Sequence, residues 1–361
     1  MKKSVCFAGL RPALVASVIA MAPGCEIHEL MRGGKARTPG SETAAMPKTR
    51  IIPGRRLLTV PGDPGASLSP DANRVAFPRT GLGIRGIEVR DLEMPSRKSV
   101  IEPEVPSSGV NWSPDGSWLA SESIPGGLRV YESSKFRRVW ANAKLSDPAW
   151  SGNSKHLAAF DLTSGLTQIV DTRTWRVLRS LGVCARARWS PDSRRLVAQF
   201  SSPKPPYNLF RVIETGTWAS VVNVDADVNN VYSVAWSSDS KLLAFGGDFP
   251  VFAQAANAWL VDAGTGKVLH KFREYPTQVR SAAWSPSSTL IAFTHGTRAS
   301  DGRTDVINIH DVKTGALDYQ LQGPSTMVFD LRWDQQLPRI RAVAGNGSTL
   351  EVWEWTIPAS G

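Results

Sequence analysis

Cysteine is scarce: Cys6, Cys25 and Cys184 are the only three in 361 residues. Three thiols cannot build the bridge network that holds small secreted domains together, so a disulfide framework is excluded. Histidine is as thinly spread. Its five copies, His28, His156, His270, His295 and His310, show no metal-ligand spacing. The apolar run from Pro12 to Ala22 has 11 residues, short of the roughly 20 that a membrane-spanning helix needs. No helical period stands out in the body of the chain. Catalytic signatures are missing too: there is no Gly-x-Ser-x-Gly elbow and no His-Glu-x-x-His. Gly264-Thr265-Gly266-Lys267 is followed by Val268, where a phosphate loop needs Ser or Thr to meet Mg²⁺, and so reads as a turn between strands.

What the chain has instead is tryptophan, 13 copies, and turn formers, 30 Gly and 25 Pro. Trp112-Ser113-Pro114-Asp115-Gly116 returns as Trp150-Ser151-Gly152-Asn153-Ser154, Trp189-Ser190-Pro191-Asp192-Ser193, Trp236-Ser237-Ser238-Asp239-Ser240 and Trp284-Ser285-Pro286-Ser287-Ser288. Leu68-Ser69-Pro70-Asp71 and Trp333-Asp334-Gln335 extend the series, with successive anchors 44, 38, 39, 47, 48 and 49 residues apart. That is the period of a four-stranded propeller blade. Pro pre-sets φ in each turn, and Asp or Asn bonds the backbone that follows, so the chain reverses directly after each anchor. Pairs such as Val234 and Trp236, or Leu331 and Trp333, alternate with other residues in the period of a strand. A second mark keeps the phase: β-rich runs end in an acid at Asp91, Glu132, Asp171, Glu214, Asp262, Asp311 and Glu354. These acids read as caps of the turns that follow.

The pattern resembles the WD-repeat β-propellers and the related bacterial repeats with a Ser-Pro-Asp-Gly turn, as in the Tol-system propeller. It covers about residues 55 to 357 and implies an all-β, seven-bladed propeller of four-stranded antiparallel blades. No Gly-His dipeptide precedes the strands, and of the seven strand-end acids only Glu354 follows a Trp, Trp353, as in that family. The strand Arg56-Leu57-Leu58-Thr59-Val60 has no partner nearby, and the last repeat stops at Trp355-Thr356-Ile357 without a fourth strand. In WD-repeat propellers the N-terminal strand completes the last blade, and the same closure is expected here.

The N-terminus reads as a basic start, an apolar run and Ala22-Pro23-Gly24-Cys25, the layout of a secretory signal. It resembles the lipobox of bacterial lipoproteins, which implies a signal peptide over 1–25, lipidation of Cys25 and a periplasm-facing place in the cell envelope. The alternative is translation from Met46 and a cytoplasmic protein. Residues 26–54 lack apolar periodicity and read as a disordered tether before a propeller over 55–361.

Charge separates the two parts. The whole chain carries +10, of which +7 lies at or before Arg56 and +3 in the rest. The propeller therefore lacks the basic stripe of a nucleic-acid surface. The loops between second and third strands are long in blades 4 to 6, on the same face as the links that enter the innermost strands. Insertions on one face mark a working surface. Aromatic and Arg side chains dominate interface energetics, which singles out Tyr207, Tyr232, Tyr275, Arg280 and His295 for a protein partner, beside Phe249 and Phe252. Arg186, Asp147 and Asp330 are expected at the channel mouth, with Arg186 and Asp147 as a pair. The reading is a non-catalytic scaffold for a protein partner, with no cofactor and no metal. Its rival, by resemblance to other seven-bladed propellers, is a hydrolase or lactonase with a site at the central channel.

Overall fold

A computed structural model describes residues 49–79, 85–102, 105–123, 127–182, 187–201, 208–225, 230–248, 257–273, 275, 277–296 and 305–358. Over these residues the chain forms 29 strands, β1 to β29 in chain order, in seven sheets whose four-stranded antiparallel blades are arranged as a β-propeller. The innermost strands are β3 (Ser67–Leu68), β7 (Gly109–Trp112), β11 (Leu145–Trp150), β15 (Arg188–Trp189), β19 (Asn230–Trp236), β23 (Val279–Trp284) and β27 (Met327–Trp333). Each touches the next, and β27 touches β3, so the seven blades close into a ring.

The repeated Trp-Ser-Pro-Asp stretch explains both the hairpin and the packing between blades. Ser113 Oγ donates to Asp115 Oδ1 at 2.6 Å and accepts the Trp118 N–H at 2.9 Å. Ser190 and Ser237 repeat this with Asp192 and Arg195, and with Asp239 and Leu242. The hydroxyl is thus a fixed clip between the first and second strands, and these serines are fully buried. Each anchor Trp is buried in a cluster between blades. The indole N–H of Trp236 donates to the Arg188 carbonyl of the preceding blade at 2.9 Å, and Trp284, Trp333 and Trp150 do the same to Ala235, Ala283 and Asn111. The core is divided accordingly into seven clusters, one at each junction between blades.

Closure occurs as the sequence predicts. β2 (Arg55–Pro61) pairs antiparallel with β29 (Thr349–Thr356), the third strand of the blade that also holds β27 and β28 (Arg339–Gly345). The tether boundary needs correction, because Arg50–Pro53 is strand β1, parallel to β26 (Leu317–Gln322) on the outer edge of blade 6. Backbone pairing orders this segment without apolar periodicity: Ile51 is exposed and only Ile52 packs against the core. Cys25 and the rest of residues 1–48 lie outside the described residues.

The strand-end acids behave mostly as caps. Asp171, Asp262 and Asp311 each accept the N–H and hydroxyl of Thr174, Thr265 and Thr314, all within 2.8 Å. Glu354 departs from that expectation. It is nearly buried and accepts hydrogen bonds from Arg55, Arg339 and Arg341. Gly264-Thr265-Gly266-Lys267 is a turn between strands, with Gly266 at φ 75°.

Candidate functional site

The links into the innermost strands share one end of the ring with the loops between second and third strands. Where four of those innermost strands begin, the pairing register slips. The slip lies between Ser146 and Ala149, Val231 and Ser233, Val279 and Ser281, and Val328 and Asp330. Each is a β-bulge, a device that re-aims side chains at a sheet edge. The residues it re-aims include Asp147, Tyr232, Arg280 and Phe329. Asp147 sits at φ 48°, a left-handed conformation that is uncommon for a residue with a Cβ.

These bulges feed a belt of bonds that runs from blade to blade. With its amide oriented to satisfy its neighbours, Gln278 donates to Tyr232 Oη at 3.3 Å and accepts from Arg280 Nε at 2.9 Å. Arg280 donates to Asp305 Oδ1 at 2.8 Å, and Asp305 Oδ2 accepts the Val328 N–H of blade 7 at 2.8 Å. Burial pushes the Asp305 carboxyl above its ordinary range, against the opposing pull of Val328 and Arg280. Asp330 Oδ2 accepts the Leu68 N–H of blade 1 at 2.8 Å. In blade 2, Glu122 accepts the Asp147 N–H of blade 3, and Asp147 pairs with Arg188 of blade 4 at 3.3 Å. Asp147 and Arg188 keep 36% and 39% of their side chains exposed. Such a pair adds little stability, but its bulge and bonds hold it in one place.

Several expected site residues fall elsewhere. Tyr207, Arg186, Phe249 and Phe252 lie outside the described residues, so the expected partner of Asp147 does too. The pairing cation seen is Arg188. Tyr275 and His295 are buried, at 5% and 6% exposure, instead of lying on the surface. The Tyr275 hydroxyl lies 2.7 Å from His310 Nε2, its ring packs 4.7 Å from that of His295, and its carbonyl accepts from Asn257 Nδ2 at 3.0 Å. An aromatic ring on a short link folds into the junction between blades 5 and 6, where it removes more apolar area from water than it would outside. Tyr232 and Arg280 remain partly exposed, and Asp330 is half-buried. Glu122, Gln278 and Asp305 join the mouth without having been singled out, because no repeat position marks them.

No protein-family model and no curated protein matches the chain. Solved structures do match. A WD40 propeller chain in the crystal structure of a mitotic checkpoint complex superposes with a TM-score of 0.65 at 18% identity, covering 92% of this chain and 99% of that one. The likeness is one of fold. At this identity it carries the seven-bladed architecture and leaves the side chains at the mouth to be judged by their own geometry.

Proposed function

We propose that the chain is a non-catalytic scaffold that presents the mouth of its propeller to a protein partner. The carrying observation is the bulge shared by four blades at one end of the ring. It turns Tyr232, Arg280 and Asp147 toward that end, and the bonds to Gln278, Asp305, Glu122 and Arg188 lock them. A locked surface loses little entropy on binding, which favours recognition. The similar propeller chain belongs to a protein complex, in keeping with this reading. The leader supports a place in the cell envelope, with Cys25 lipidated and residues 26–49 as the tether.

The test is to capture the partner by cross-linking in native membranes, then measure its binding to Tyr232→Ala and Arg188→Glu variants. Each should weaken binding by about 1 to 2 kcal/mol while leaving the melting temperature within error of wild type. Undiminished binding by the double variant overturns the assignment of this face. Turnover of a lactone or ester by the purified protein, lost in the same variants, would instead establish the hydrolase reading.

A further inference from the structure

The circumference of the ring is a second surface, built from the fourth strand of each blade. A fourth strand has one edge with no neighbour in its own blade, a row of N–H and C=O groups able to pair with another chain. In blade 6 that edge is taken. β1 lies along β26 with Arg50 opposite Tyr319 and Pro53 opposite Gln322. The chain itself therefore shows that an outer edge of this propeller accepts an extended segment as a fifth strand.

Blade 3 offers the same edge with a different chemistry. Its fourth strand, β14 (Val177–Leu181), pairs only with β13 (Thr167–Asp171) among the described residues. A bulge between Ile169 and Val170 leaves Leu178 out of register. Val177 and Leu178 stay 51% and 56% exposed. Arg176 and Arg179 are exposed on either side of them, and neither meets a carboxylate among the described residues. Arg179 lies 5.6 Å from the Trp218 ring. The turn before the strand is fixed by Trp175 at φ 57°, packed against Trp118, Trp140 and Trp150 at 5.4 to 6.5 Å between ring centroids. Asp171, five residues before Arg176 in the chain, caps Thr174 and faces Arg173.

Arginines on an edge repel a second copy of the same edge, because antiparallel self-pairing brings Arg toward Arg. They attract a strand whose alternate residues are acidic. We propose that β14 takes an extended acidic segment of a partner protein as a fifth strand of blade 3. Its backbone would pair with the open edge, its Asp or Glu side chains would meet Arg176 and Arg179, and its apolar residues would cover Val177 and Leu178. An anionic lipid surface would also attract arginine and leucine, but it offers no ladder of partners to the strand edge. This site is separate from the mouth and stands or falls independently of it.

A fluorescein-labelled peptide of alternating Glu and Val is the probe, read by fluorescence polarisation against the purified protein. Saturable binding is expected, weakening as salt is raised, with slowed amide exchange across 177–181. Arg176→Glu with Arg179→Glu should weaken it about tenfold or more, and Tyr232→Ala should leave it unaltered. Leu178→Asp, which keeps both arginines, should weaken it as well and decides the matter if the double variant fails to fold. Equal binding by a Lys-Val peptide, unchanged binding by the variants, or binding to phosphatidylglycerol vesicles without binding of the Glu-Val peptide would each overturn the proposal.

Discussion

The fifth residue of each inner turn carries two opposed effects. Ser154, Ser193, Ser240 and Ser288 all sit at φ between 56° and 63°, where a residue with a Cβ is strained and glycine is not. Their hydroxyls, however, accept an N–H from the turn of the preceding blade: Asp115 to Ser154, Asn153 to Ser193, Asp192 to Ser240 and Asp239 to Ser288, at 2.8 to 3.1 Å. Serine keeps a bond between blades at the cost of backbone strain, and Gly116 in blade 2 relieves the strain without offering a bond. The two effects can be separated at Ser240. Ser240→Ala keeps the strain and loses the bond, and should cost about 1 to 2 kcal/mol. Ser240→Gly loses the bond but sheds about 1 kcal/mol of strain, so it should lie near wild type. Urea melts of the three proteins measure this, and an alanine variant as stable as the glycine one would show that the hydroxyl and the strain do not oppose each other.

At the scale of elements the N-terminal strands decide how much of the chain the ring needs. Gly54 joins β1 to β2, and its N–H donates to the Gln322 carbonyl at 2.7 Å. A Cβ there would stand 2.7 Å from Cε2 of Trp355 and 2.9 Å from that carbonyl, so the strap passes where only glycine fits. Deleting 26–47 should leave the melting temperature unchanged. Extending the deletion through Gly54 strips β1 from β26 and should cost about 1 to 2 kcal/mol, and extending it through Pro61 exposes the edge of β29 and should give aggregation. Equal melting of the first two deletions would show that β1 contributes nothing. β2 was legible in the sequence because the last repeat lacked a strand and Arg56 to Val60 lacked a partner. β1 was not, since parallel pairing at an edge leaves no apolar period in Arg50-Ile51-Ile52-Pro53. The turns were legible for the opposite reason: Ser113 and Asp115 bond within five residues of themselves. The mouth was half legible. Spacing from the anchors located Asp147 and Asp330, but whether Tyr275 turned inward depended on His310, 35 residues away.

Across the whole molecule the junctions between blades are not alike. Serine clasps join blades 2 through 6, whereas the junction of blades 7 and 1, beside its apolar cluster, is crossed by an arginine that a carboxylate of blade 7 holds in place. Glu354 of β29 accepts Arg55 of β2 at 2.7 Å and Arg341 of β28 at 2.7 Å, and Arg341 also donates to the Ala72 carbonyl and to Asn73 Oδ1 of blade 1. Burial alone would raise the Glu354 carboxyl, but the hydrogen bonds and charges of Arg55 and Arg341 outweigh it and hold the group below its ordinary range. Asp334 is also lowered against its own burial, first by the N–H groups of Gln336 and Leu337 and then by Arg339 at 2.7 Å. A carboxylate with a depressed native pKa contributes stability that is present above the unfolded-state pKa, near 4.5 for Glu354 and 3.8 for Asp334. That contribution is lost as pH falls through the native values. Because Arg55 is largely exposed, most of the effect resides in the buried Arg341 contact. Acid should therefore open the ring at this seam first. Amide exchange at about pH 3, corrected for intrinsic rates and compared with neutral pH, should show protection falling in β2, β28 and β29 while β11 and β13 keep theirs. Glu354→Gln should show the weakened seam at both pH values. A uniform loss across all blades would mean that the ring unfolds as one unit and that this cluster does not set where it opens.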